Sequence, residues 1–200
     1  MQTLYVMIRL VLCSFFLLPL VSFGQTIVEW NPKYELSLLD FVSKETEINS
    51  DLKSYSIASS ANMEFGFQMS NYEFMFTKNF NSKVSVNFYQ DASVIVAPDS
   101  STALKMVHYG QYHFDLTELY ARKFRKELYE QKGAFSSASF FQPIFNKLQQ
   151  ELQAENARVS KLTNVGLERE LLAQERQKVL EEIDLLEDYC KSCKPPKRKK

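Results

Sequence analysis

The residues with chemical potential are concentrated in one stretch, "HYGQYHFDLTELYAR", His108 to Arg122. It holds both histidines of the chain, two carboxylates (Asp115 and Glu118) and helical spacing around them. A helix of this kind can carry a zinc hydrolase site of the H-E-x-x-H type. Two histidines four apart grip the metal from one face, the glutamate between them polarises the attacking water, and a third ligand from elsewhere leaves one position open. Here His108 and His113 are five apart, so their side chains diverge by roughly 140° around a helix, not the ~40° that shared ligation needs. The pentapeptide ending at His113 is Tyr109-Gly110-Gln111-Tyr112-His113. Its first position has no imidazole and its second has no carboxylate.

The elements that must position this helix are legible around it. Between Thr26 and Ala97 the chain is built of short β-branched or aromatic runs: "TIVEW", "SYSIASS", "MEFGFQM", "YEFMFT", "KVSVNFY" and "SVIVA". In the fifth run, Val84, Val86 and Phe88 point one way and Ser85, Asn87 and Tyr89 the other, as in a half-buried strand. Polar breaks at 69–72 and 79–82 suit hairpin turns. A mostly antiparallel sheet is expected. Ser100, Ser101 or Thr102 can cap a helix reaching to about Gln131, with Tyr112, Leu116, Leu119, Phe124 and Leu128 as its apolar stripe. Gly133 breaks it. A second helix is expected over roughly 139–161, with Pro143 in its first turn. A third runs from about Gly166 to Tyr189, with Val165, Leu172, Val179 and Leu186 seven apart; so short a heptad run suits a helix lying on its own domain. The fold class expected is α+β: an antiparallel sheet in the N-terminal half, the histidine helix packed on it, and two C-terminal helices.

Charge and cysteine use narrow the function classes. The chain has 24 basic and 24 acidic residues, and its one basic concentration is the tail "KPPKRKK". Nucleic acid is therefore not expected as a partner. Arg9, the apolar run Leu10 to Val21 and the small residues Ser22 and Gly24 form a tripartite secretory leader. The expected division is residues 1–24 as signal peptide, 25–190 as one domain and 191–200 as a basic tail. Localisation is then the periplasm or the extracellular space. Cys13 follows Leu12, where a lipoprotein signal requires a small side chain, so lipidation is not expected. Cys190 and Cys193 remain in the mature chain, and in an exported protein a disulfide is the default. Ser59 and Ser60 lack a nucleophile-elbow context. Asp40, Glu45, Glu47 and Asp51 match no calcium-loop pattern, and glycine is too scarce for a phosphate cradle.

The segment "YHFDLTELYARKFRKEL" (112–128) resembles a secreted bacterial family of Zn-dependent-protease-like proteins of unknown function, whose helix reads H-E-Q-G-H-F-D-I-A-E-I-Y-A-R-K-L-R-K. "VEWNPKYELSLLDF" (28–41) is similar to that family's opening segment, "SIASSANMEF" (56–65) and "VSVNFYQDASVI" (84–95) to its strands, and "LTNVGLERELLAQERQKVLEEI" (162–183) to a C-terminal stretch with a T-N-H-G core. The resemblance implies a zincin-like remnant. His113 would stand on the second zinc histidine, Tyr109 on the first, Gly110 on the catalytic glutamate, and Val165 on the histidine of T-N-H-G, taken as the third ligand. The expectation is a vestigial pocket of Tyr109, Gly110, His113 and Val165, with zinc lost, no catalytic residues and no cofactor. The chain would be a non-catalytic, pseudoenzyme-like binding or structural protein of the bacterial envelope, with an envelope protein or ligand as partner. Two alternatives stand beside it: a metal-dependent hydrolase rebuilt around His113 with Asp115 or Glu118, and an adaptor docking through the last helix and the basic tail. Arg122, Lys123, Arg125 and Lys126 are expected to form a solvated face, and His108 to lie at the surface.

Overall fold

Val84, Val86 and Phe88 are all buried, and the residues between them are half-buried. The alternation thus sets one strand face against a core, as its period of two requires. The computed structural model describes residues 26–133 and 135–195; the expected leader (1–24), Gln25, residue 134 and residues 196–200 of the tail lie outside the described residues. The strand of Val84–Tyr89 (β5) is the centre of a three-stranded antiparallel sheet. It pairs with β1 (Ile27–Glu29), placing Val28 opposite Phe88, and with β4 (Ala61–Phe65), placing Met63 opposite Val86. A second sheet is built on β6 (Val94–Ala97), antiparallel to β3 (Ser56–Ala58) and parallel to the two-residue β2 (Glu47–Ile48). The fold is α+β, with the strands in the N-terminal half and three long helices after them.

One expected strand is a helix. "YEFMFT" alternates like a strand, yet Asn71–Phe76 forms a short helix, α1. Ser70 is its N-cap, and the Ser70 hydroxyl accepts from the Glu73 amide. Ser70 followed three residues later by Glu73 is a helix-start signature. That local bond, with Phe74 the one buried side chain of the segment, outweighs the alternation. The break at 69–72 is therefore a cap and not a hairpin turn.

Ser100–Gln131 is a single helix, α2. Its cap is Asp99, one residue before the expected candidates; the Asp99 carboxylate accepts from the Thr102 amide at 2.8 Å and from the Thr102 hydroxyl. Helix α2 touches β3, β4, β5 and β6 on one side and α3 (Phe141–Leu162) and α4 (Arg169–Leu185) on the other. Enclosed in this way it is buried nearly all round, which explains why its stripe is not cleanly amphipathic. Of the four positions seven apart, Leu172 and Val179 lie within α4 and are buried, as is Ile183 beside them, whereas Val165 and Leu186 fall outside the helix and are half-buried; this helix lies on its own domain.

Two further arrangements fix the site. A phenylalanine cluster joins the sheet to α2 and α3, with Phe65 edge-on to Phe124 (5.4 Å) and Phe141 (4.7 Å); such pairs contribute roughly 0.5–1.5 kcal/mol each beyond burial. The segment after β1 is held by Asp40, a buried residue and not a member of a solvated loop. It accepts from the Tyr34 hydroxyl, the Ser37 amide and hydroxyl and the Gln90 amide group. Burial opposes ionisation of Asp40, but these donors prevail and hold its carboxyl below the ordinary value. The same contact, after burial, pushes Tyr34 up to about 12.

Candidate functional site

The side chains from Tyr109 to His113 leave α2 in different directions, and each meets a part of the protein itself. The Tyr109 hydroxyl donates to the Asn156 side chain on α3 at 2.8 Å. Gly110 lies under Phe41: a Cβ there would come within 2.8 Å of Phe41 Cζ. A glutamate in its place would have to displace that ring. Gln111 accepts from the Leu36 amide and donates to Asp115. Tyr112 is fully buried beside Tyr109, with ring centroids 6.2 Å apart. His113 is half-buried, and its Nδ1 is hydrogen-bonded to the Ser59 hydroxyl at 3.1 Å.

Of the four residues grouped by resemblance, Tyr109 and the Val165 turn are brought close. Asn164, Val165 and Gly166 all have positive φ (49°, 50° and 95°). This turn packs so tightly on α2 that a Cβ at Gly166 would lie 2.6 Å from the Lys105 carbonyl oxygen and 3.0 Å from Tyr109 Cβ. His113 instead looks to Ser59, on the link between β3 and β4. The Ser59–His113 pair is not a nucleophile and base in working order. None of the five main concavities is lined by either residue, and among the described residues no carboxylate is hydrogen-bonded to the histidine to orient it, as a triad requires.

Burial lowers His113 to about 4, against a smaller upward effect from the Ser59 backbone. The unfolded chain takes up this proton near pH 6.5. The contribution to stability is therefore complete above pH 6.5 and is lost as pH falls from 6.5 toward 4. We expect His113→Asn to flatten this acid limb by on the order of 2 kcal/mol, read from urea unfolding midpoints of parent and variant between pH 7 and pH 4. Identical limbs would contradict the burial of the ring. His108, exposed as expected, is also lowered, by partial burial and then by Arg169 and Arg176.

The two carboxylates considered for a rebuilt metal site turn away from His113. They lie roughly 200° and 140° around the helix from it, and both are held by arginines. Asp115 accepts from Arg176 Nε at 2.8 Å, from the Trp30 indole N–H at 3.0 Å and from Gln111. Glu118 accepts from Arg122 Nε and from Arg125 Nη1, each at 2.9 Å. Among the described residues no group of three or more His, Cys, Asp or Glu side chains converges as metal ligands would.

The expected solvated face is corrected here. Arg122 and Arg125 are 7% and 1% exposed, and Glu118 is 3% exposed. Arg122 donates to the Ile183 carbonyl at 2.8 Å; Arg125 donates to the Tyr189 carbonyl at 3.2 Å and the Val84 carbonyl at 2.9 Å. Arg122 caps the C-terminal end of α4, where a cation suits the helix dipole, and Arg125 ties the turn that follows it to β5. Lys123 and Lys126 stay partly exposed. Gln111, Asp115, Glu118, Arg122 and Arg125 together form a buried polar seam along α2. Their spacing of alternating four and three residues was the signal available in the sequence, because a polar stripe at core spacing meets other elements.

The seam opens to solvent in a concavity of about 330 Å³ lined by Trp30, Glu118, Arg122, Arg125, Cys190 and Lys191, among others. Cys190 and Cys193 are disulfide-bonded. The loop they close is docked onto the body by Asn79 and Asn81, which donate to the Cys193 carbonyl. Lys191 pairs with Glu29, so the body extends through the disulfide loop and past residue 190.

No family model, curated protein or solved structure matches this chain. Among the described residues no helix is long and apolar enough to cross a membrane.

Proposed function

We propose that this chain is an exported, non-catalytic relative of zinc-protease-like proteins that acts as a binding or structural protein of the bacterial envelope. The observation that supports this reading is the use that the fold makes of four of the five residues at the H-E-x-x-H position. Tyr109 is spent on Asn156, Gly110 on Phe41, and Gln111 on Leu36 and Asp115, while His113 is spent on Ser59. The strained turn at Val165 favours the same reading. A left-handed backbone is adopted far more readily by histidine, asparagine or glycine than by a β-branched residue. The turn thus keeps a geometry suited to the T-N-H-G core of the family it resembles, while valine stands in the histidine's place.

A hydrolase rebuilt on His113 would need Asp115 or Glu118 beside the ring, and both are turned away and neutralised by arginines. The decisive measurement is zinc content. The tag-free mature chain should contain no stoichiometric zinc by elemental analysis and give no zinc heat by calorimetry. One zinc per chain, lost on His113→Ala, would sink the proposal.

A further inference from the structure

The concavity at the end of the polar seam carries a positive charge that its own residues do not match. Its floor holds two guanidinium groups, Arg122 and Arg125, against the single carboxylate of Glu118. At its rim Lys191 and Glu29 neutralise each other. Both Glu118 oxygens are already used: Oε1 accepts from both arginines and Oε2 from Arg125. Arg125 serves the fold: its Nη groups donate to Glu118, Tyr189 and Val84, and its buried Nε–H has no acceptor among the described residues. The walls are apolar where Trp30, Pro32 and Val86 contribute. The space, about 330 Å³, lies at the small end of ligand pockets and adjoins a second concavity of about 490 Å³ that shares Trp30, Glu29 and Lys191.

We propose that this concavity binds a carboxylate attached to a compact apolar body, the carboxylate meeting Arg122 and the body lying against Trp30 and Pro32. The charge excess is one, which a carboxylate matches; a phosphate dianion would leave a second negative charge unpaired next to Glu118. Arginine forks suit planar carboxylates for the same reason that they are preferred in ion pairs. Such a group occurs in small organic acids and at peptide C-termini, and the two are separable by experiment. The assignment rests on the reading of the chain as a binding protein, but the two fail separately. Stoichiometric zinc would overturn that reading without changing the titration described next, and a silent titration would remove this pocket while leaving the zinc result intact.

Trp30 is the one tryptophan of the chain, so its indole N–H gives a single reporter resonance inside the site. The mature chain, labelled with ¹⁵N, is titrated with phenylacetate, with neutral phenylacetamide, with inorganic phosphate, and with glycyl-phenylalanine and its C-terminal amide. The expected result is a saturable shift with the two acids and none with the two amides. The tighter of the two acids tells a small-acid site from a chain-terminus site. Arg122→Gln should weaken the acid by roughly tenfold, the loss of about one charge-assisted hydrogen bond. Should that variant not fold, the comparison of acid and amide on the parent chain decides alone. Equal shifts with acid and amide, a response to phosphate only, or no shift up to about 10 mM (an affinity too weak for a built site) would each overturn the proposal.

Discussion

Glu118→Gln should destabilise the protein by about 3–5 kcal/mol, because it removes the single carboxylate that compensates two buried guanidinium groups. The magnitude follows from burial and not from the number of ion pairs. An exposed pair of the same type, such as Lys147 with Glu151, contributes no more than about 1 kcal/mol. At Glu118 both partners are out of water, and Arg122 and Arg125 cannot follow the lost charge to the surface without releasing the carbonyls of Ile183, Tyr189 and Val84. The loss is a large share of the ~5–15 kcal/mol that holds a typical domain together. Urea unfolding of residues 25–200, followed by circular dichroism, measures it. A compensating variant, Glu118→Gln with Arg125→Met, should recover part of the loss, because it removes one of the two guanidinium groups left without a buried counter-charge. A loss below about 1 kcal/mol for the single variant would mean that water reaches the cluster, and the seam would then not be a buried element of this fold.

Gly166→Ala is the second large effect, at about 3 kcal/mol. Two costs add. A residue with a Cβ at φ 95° is strained, and the new methyl would stand 2.6 Å from the Lys105 carbonyl oxygen, which belongs to the rigid backbone of α2 and cannot rotate away. Val165→Asn supplies the opposite sign in the same turn. Asparagine tolerates the left-handed region that valine resists, so the relief of strain should offset the lost packing of a half-buried side chain and leave stability close to the parent. Thermal unfolding of the two variants side by side checks both. Equal losses would show that packing and not backbone conformation governs the turn.

Sequence and structure divide the determination of this protein at a recognisable point. The alternation of Val84, Val86 and Phe88, the helical run to Gln131, the break at Gly133 and the heptad of α4 were legible in advance, because each is a repeat of local backbone geometry written in side-chain polarity. Local capping was less legible: the cap of α2 is Asp99, one residue before the expected candidates. Ser70 and Glu73 announced the helix that "YEFMFT" hides, although the alternation spoke louder when the residues were read alone. At the histidine helix, residue types showed that the pentapeptide ending at His113 lacks the first histidine and the glutamate of an H-E-x-x-H site. Only the tertiary structure decided what each replacement touches: Gly110 makes room for Phe41, and Tyr109 reaches Asn156, 47 residues away. The largest misreading was Arg122 and Arg125, taken for a solvated face. Charge alone predicts exposure because desolvating an unpaired ion is prohibitive. The exception depends on acceptors that the local sequence does not contain, namely the carbonyls of Ile183 and Tyr189 at 61 and 64 residues' remove. Whether a charged side chain is buried is decided by what surrounds it once the chain has closed, and that information resides in the fold.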